Sequence, residues 1–264
     1  MRKKIILEAK RLTKIFGFKK SRVVAVDNVS FRVEKGEIIS LVGQSGSGKT
    51  TLARMMLRLT RPSIGQIFHN GKEISGLRRD EVIDYWRHVQ GIFQDPFSSF
   101  NQFYKVSRVL NNTFKLFKRP PKREKQKEMV RSSIKAVGLN PDEVLNKYPY
   151  ELSGGQTQRI MIARILLINP EILIADEPTS MIDASSRAEV LNLLLALRNR
   201  YKMSIIFITH DMGLAYYASD TLLIMNKGKI VERGKAEKII TAPQHPYTQR
   251  LLSDVPLIHK KWEF

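Results

Sequence analysis

Three short segments hold the residues whose types and spacing could do chemistry. In the first, Gly43-Gln44-Ser45-Gly46-Ser47-Gly48-Lys49-Thr50 fits the pattern G-x-x-x-x-G-K-[ST], with Thr51 behind it. Glycines at these places let backbone N–H groups wrap phosphate oxygens without Cβ clashes. Lys49 has the reach for the β- and γ-phosphates of a nucleoside triphosphate, and the Thr50 hydroxyl suits Mg²⁺. In the second, Ile172-Leu173-Ile174-Ala175-Asp176-Glu177 is an apolar run that ends in two carboxylates. Beside a phosphate cradle, Asp176 would hold Mg²⁺ through water and Glu177 would polarise the attacking water. In the third, Leu152-Ser153-Gly154-Gly155-Gln156, a serine at a helix start stands next to two glycine amides. Hydroxyl, amides and the positive helix end together make a second anion-binding surface. Read alone, each has a plainer meaning: a flexible Gly-Ser loop, a strand-end turn before Pro178, a capped helix start. Their joint presence in one chain favours the chemistry.

Such groups need rigid carriers. Ile38–Val42 is a continuous apolar run, as a parallel strand buried on both faces shows, and Leu52–Leu59 reads as a helix. The glycine-rich loop therefore lies between a strand and a helix, where its mechanism needs it. Val23–Val33 reads as a strand that Lys35-Gly36 breaks, and Gln66–His69, Asn70-Gly71 and Lys72–Ile74 as a tight hairpin. From about Asp95 to Ile168 the pattern turns helical. Glu124–Val137 carries Met129, Val130, Ile134 and Val137 at helical spacing, with Gly138 as a stop, and Ser153 is an N-cap for Gln156–Ile168. Ile172–Ala175 is a strand, Ala188–Leu197 a helix and Ile205–Ile208 a strand; Thr221–Met225 turns through Asn226–Gly228 into Ile230–Arg233. The expected fold is α/β: a mostly parallel sheet with an antiparallel β region and an inserted helical subdomain.

Composition bounds the function. The 264 residues carry 45 Lys and Arg against 25 Asp and Glu, a formal charge of +20, with a pI near 10.1. That surplus either aids solubility alone or points to an anionic partner: nucleic acid, a membrane surface or a phosphate ligand. The absence of cysteine excludes disulfides, thiolate metal sites and a Cys nucleophile. No stretch approaches the roughly 18 apolar residues of a spanning helix. The run Ile5-Ile6-Leu7 is too short for a signal peptide. A cytoplasmic chain, peripheral to a membrane, is expected. Lys115, Lys118, Arg119, Lys122, Arg123, Lys125 and Lys127 form a basic run, read either as a solvated face or as a patch for anionic headgroups. Only Phe114 and Phe117 interleave it, a weak pattern for base stacking.

The three segments resemble the motifs of the ATP-binding subunits of ABC transporters. GQSGSGKTT is similar to that family's P-loop, LSGGQ to its signature and ILIADEP to its acidic strand. Phe16 in LTKIF stands where the family has an adenine-stacking aromatic, and Gln94 in IFQDPFSS at the Q-loop glutamine. Ser180-Met181-Ile182-Asp183 resembles the D-loop, and His210 in FITHD the switch histidine. The likeness runs from about Leu7 to Pro256. In the tail, His245-Pro246-Tyr247-Thr248 followed by QRLLSDVP resembles the oligopeptide, dipeptide and nickel importer branch, as does QDPFSSFN. Thr157 departs from the family's usual basic residue, and S-M-I-D from its S-A-L-D; the cysteine cluster of some relatives is missing.

The resemblance implies one ABC ATPase domain over 1–264. Its P-loop NTPase core takes residues 1–94 and 169–241, a helical subdomain with the signature takes 95–168, and a tail takes 242–264. ATP and Mg²⁺ are the implied cofactors. Phe16 stacks the adenine, Gly43 to Thr51 hold the triphosphate, and Mg²⁺ sits on Thr50, Gln94 and, through water, Asp176. Glu177 acts on the water and His210 senses the γ-phosphate. Ser153, Gly154, Gly155 and Gln156 cover the ATP of a second, paralogous ATP-binding subunit. Thr157 and the Met181-Ile182 pair lie in segments that would face that subunit's nucleotide. Further implied partners are transmembrane permease subunits, an extracytoplasmic substrate-binding protein acting indirectly, and the inner membrane surface, with no nucleic acid. The implied place is the cytoplasmic face of the cell membrane. Di- and oligopeptides are the first cargo reading, with nickel and oligosaccharides open. The alternative is an ABC-type ATPase of translation or DNA repair; one ATPase half and no coiled coil speak against it.

Overall fold

A computed structural model describes residues 4–18, 21–95, 100–180 and 182–253. In chain order come β1 (Ile5–Phe16), β2 (Val23–Glu34), β3 (Ile38–Val42), α1 (Lys49–Met56), β4 (Ile64–His69) and β5 (Lys72–Glu73). Next are α2 (Arg79–Tyr85), β6 (Val89–Ile92), α3 (Val106–Asn112), α4 (Arg123–Ala136), α5 (Pro141–Val144), α6 (Gly154–Ile168), β7 (Ile172–Asp176) and α7 (Ala184–Tyr201). The chain goes on through β8 (Ser204–Thr209), α8 (Met212–Ala218), β9 (Thr221–Asn226), β10 (Lys229–Lys235), α9 (Ala236–Thr241) and α10 (Pro246–Ser253). It forms two compact units, one of residues up to Leu77 with those from Ser204 onward, the other Arg78–Met203. From the sequence, the division falls by element type, with 95–168 set apart; by compactness it falls after Leu77 and after Met203.

In the first unit, β2-β1-β4-β5 is an antiparallel sheet. A second sheet has β3 at its centre, parallel to β8 on one side and to β9 on the other, with β10 antiparallel to β9. Every residue of β3 and β8 is buried, which explains their unbroken apolar runs. The 70–71 hairpin turn has φ of 48° at Asn70 and 81° at Gly71. Positive φ at both central residues is the turn whose twist matches the flanking strands, and Asn-Gly is its preferred pair. Lys227 and Gly228 repeat it between β9 and β10, with φ of 44° and 82°.

In the second unit, β6 and β7 pair in parallel, from Val89↔Ile172 to Ile92↔Ala175. The centre of its helices is α6, with Ile160, Met161, Ile162, Ala163, Ile165 and Leu167 all buried. Arg159 on α6 donates to the Val137 carbonyl at 3.3 Å and pairs with Glu189 of α7. Arg131 of α4 grips Asp142 of α5 with two hydrogen bonds of 2.8 and 2.9 Å. Two helices depart from their apolar patterns: α1 is Lys49–Met56, shifted three residues toward the N-terminus of the expected Leu52–Leu59, and α7 extends to both sides of Ala188–Leu197.

Candidate active site

Register decides which residues leave the strands together. In the first unit Val42 of β3 lies level with Thr209 of β8. Gly43 and His210 therefore depart from the same sheet edge, the carboxyl end of parallel strands, where α/β folds bind ligands. In the second unit Ile92 of β6 lies level with Ala175 of β7, so Gln94 departs beside Asp176 and Glu177. Each unit thus gathers one group of the expected residues.

The loop after β3 needs its glycines for space and for backbone angle. A Cβ on Gly43 would stand 2.1 Å from the Met225 carbonyl oxygen of β9. Gly48 has φ of 105°, and its Cβ would stand 2.2 Å from the Ala25 carbonyl oxygen of β2. Within the loop, the Ser47 amide donates to the Gln44 carbonyl at 3.2 Å. The Gly228 amide donates to the Ser47 carbonyl at 2.9 Å, tying the loop to the β9–β10 turn. Lys49, only 6% exposed, arches back so that Nζ donates to the carbonyls of Gly43 (2.7 Å) and Gln44 (2.9 Å). Thr50 is exposed and Thr51 half-buried on the first turn of α1, whose N-cap Gly48 offers no side chain to the first amides. Those amides and the helix dipole favour an anion there.

Phe16 ends β1, 45% exposed, with Lys14 Nζ 5.1 Å from its ring centre. Its partner Val23 lies two residues before Ala25, the β2 residue against Gly48. His210 is exposed between β8 and α8. The next residue, Asp211, caps α8 by accepting the Leu214 amide at 3.0 Å, and its own amide donates to Thr209 Oγ1 at 3.1 Å. The short linker is thereby fixed at its downstream side.

In the second unit, β7 is buried throughout and delivers Asp176 at its last position. Glu177 follows with φ of 48°, in the left-handed region. The Ser180 amide and hydroxyl both donate to its carbonyl, at 3.2 and 3.0 Å. Gln94 is exposed, two residues past β6. At the head of α6 a capping box is closed: Ser153 Oγ accepts the Gln156 amide at 3.2 Å, and Gln156 Oε1 accepts the Ser153 amide at 3.1 Å. Gly154 and Gly155 form the first turn.

Two residues in the segments expected to face a partner's nucleotide are buried. Thr157 is wholly buried, its hydroxyl donating to the Ser153 carbonyl at 3.0 Å, and Ile182 is buried as well. Thr157 sits one helical turn after the N-cap Ser153, closed off from solvent. Met181 and Pro96–Ser99 lie outside the described residues. One contact is not legible in the motifs: the Gln44 amide donates to the hydroxyl of Tyr247, in the tail, at 3.0 Å. The His-Pro-Tyr-Thr segment was its only sequence signal.

A family model described as ABC transporter matches residues 26–180, and one described as oligopeptide/dipeptide transporter, C-terminal region, matches residues 231–264. The oligopeptide transport ATP-binding protein OppF of Streptococcus pyogenes serotype M1 is 44% identical over 256 residues, covering 96% of this chain and 82% of that protein. OppF of Bacillus subtilis (strain 168) is 39% identical over 259 residues, 98% of this chain and 85% of that protein. Among solved structures, a dimeric post-hydrolysis state of the ATP-binding cassette MJ0796, bound to ADP and Pi, superposes with a TM-score of 0.80 at 25% identity. It covers 88% of this chain and 99% of that one.

Proposed function

Because the chain belongs to the ABC transporter family of ATP-binding subunits, we propose that it powers an importer of di- and oligopeptides by binding and hydrolysing ATP. The observation that carries the ATPase is the glycine-rich loop between β3 and α1, with Lys49 folded over it. The tail match over residues 231–264 and the similarity to oligopeptide transport ATP-binding proteins support peptides as cargo.

At the site, Phe16 stacks the adenine, and Gly43 to Thr51 with Lys49 hold the triphosphate. Residues fit for Mg²⁺ are oxygen donors: the exposed Thr50 hydroxyl, the Gln94 amide, and the Asp176 carboxylate acting through water. Mg²⁺, when bound, neutralises charge on the β- and γ-phosphates. Glu177 takes a proton from the attacking water, and His210 stabilises the γ-phosphate. Ser153 to Gln156 cover the nucleotide of a second subunit, so that ATP favours a closed pair and hydrolysis releases it. In this reading 1–94 with 169–241 is the ATPase core, 95–168 the helical subdomain with the signature and 242–264 the tail.

No helix among the described residues is long and apolar enough to cross a membrane. Attachment to the cytoplasmic face runs through permease subunits, which a substrate-binding protein serves from outside. The second ATP-binding subunit is a related but distinct chain, as is common in the branch this tail resembles. In this reading the exposed basic residues between Lys115 and Lys127, of which Lys118 also pairs with Asp84 and Lys125 with Glu128, face an anionic inner surface rather than nucleic acid.

The test separates phosphate from base recognition. Lys49→Ala should weaken MgATP about tenfold or more while leaving adenosine alone. Phe16→Ala should weaken both alike. Equal losses of both ligands in both variants contradict the assignment.

A further inference from the structure

The tail reaches the phosphate-binding loop by a built path inside the first unit. Glu232 of β10 is half-buried, and its two carboxylate oxygens accept the amides of Gln244 (2.8 Å) and His245 (3.1 Å). Burial pushes this carboxyl up; the Gln244 and His245 amides outweigh it and help hold the group below its ordinary value. His245 Nδ1 then accepts the Tyr247 amide at 3.1 Å, which starts α10. Leu251 of α10 joins a buried cluster with Val42, Leu222, Ile224 and Ile239, and Tyr247 packs against it. Val42 is the residue before Gly43. From this seat the Tyr247 hydroxyl accepts the Gln44 amide. The loop is thus held from two sides, by Gly228 at Ser47 and by Tyr247 at Gln44.

We propose that Tyr247 is a positioning residue for nucleotide binding: its hydroxyl fixes the Gln44 peptide so that the glycine-rich loop keeps its phosphate-ready shape. The inference rests on the reading of that loop as the ATP site. Gly46 and Gly48 both have positive φ, and so small a loop with several glycines has many other shapes open to it. Every contact that orders it beforehand lowers what binding must spend on ordering.

Tyr247→Phe removes the acceptor and keeps the ring in the cluster. In the full chain, MgATP and MgADP should bind about three- to tenfold more weakly, the loss of one hydrogen bond. Adenosine affinity and the thermal midpoint should hold. In the assembled transporter, KM for ATP should rise by the same factor with kcat at saturation unchanged. Unaltered MgATP and MgADP affinity in Tyr247→Phe, alongside lost binding in Lys49→Ala, overturns the role of Tyr247. So does a drop in thermal midpoint accompanied by an equal loss of adenosine. Unaltered MgATP binding in Lys49→Ala overturns instead the reading of the loop itself.

Discussion

The backbone of Glu177 enters the left-handed region at the end of a fully buried strand, a conformation that costs a non-glycine residue about 1 kcal/mol or more. Ser180 fixes that bend with two hydrogen bonds to its carbonyl, so the carboxylate is aimed by the main chain as much as by its own rotamer. Glu177→Gln keeps shape and size but cannot take a proton. It should preserve ATP binding and slow hydrolysis by about 10²–10⁴ in the assembled complex, measured as phosphate release. Near-normal turnover would remove Glu177 from the reaction. At this scale the residue types were legible in sequence, whereas their orientations were not. Asp176 and Glu177 announce themselves as two acids after an apolar run. Nothing in the letters says that Thr157 faces inward, because burial of a small hydroxyl residue on a helix is set by what packs over it. The Tyr247–Gln44 contact was hidden for another reason: it joins residues 203 positions apart.

Among the elements, α6 shows how a local rule secures a functional segment. Its capping box satisfies two amides with the same side chains that the signature presents, Ser153 and Gln156. Ser153→Ala should cost about 1 kcal/mol, and Ser153→Thr much less. A melting curve should show the alanine variant about 2–4 °C lower, if the chain unfolds as one transition. Equal midpoints for both variants would mean that the cap does not support the helix. Strands buried on both faces, β3, β7 and β8, were readable as unbroken apolar runs. The long β1 was not, because register shifts against β2 break its alternation, with Arg11 left-handed inside it. The start of α1 was hidden because Lys49, Thr50 and Thr51 are polar, as the proposed phosphate site would require, so the apolar period begins only at Leu52. Such conflicts between local pattern and fold are expected at functional sites.

For the molecule as a whole, pairing decides whether its ATPase site is complete. Thr157 and Ile182 are buried, so their side chains supply no argument for a distinct partner, and Met181 lies outside the described residues. The case for two different ATPase chains rests on the importer branch alone. The isolated chain should then be largely monomeric and turn over ATP far more slowly than the complex. Sedimentation of Glu177→Gln with MgATP tests this, since slowed hydrolysis traps a closed pair. A tight homodimer with two nucleotides, and complex-like activity in the unmutated chain, would show that no second ATPase chain is needed. The family and the α/β class were legible from the full motif set; the compact units, cut after Leu77 and Met203, were not, because compactness depends on contacts distant in sequence.

The central strand β3 has both of its neighbours, β8 and β9, in the last quarter of the chain. During synthesis it leaves the ribosome early and waits, while the whole segment Arg78–Met203 emerges and can fold first. Met225, whose carbonyl closes the space beside Gly43, and Tyr247 come later still. A nascent chain therefore carries the letters of its phosphate loop long before it has a place to hold a phosphate. The contacts that hold the loop form only once Met225 and Tyr247 have emerged.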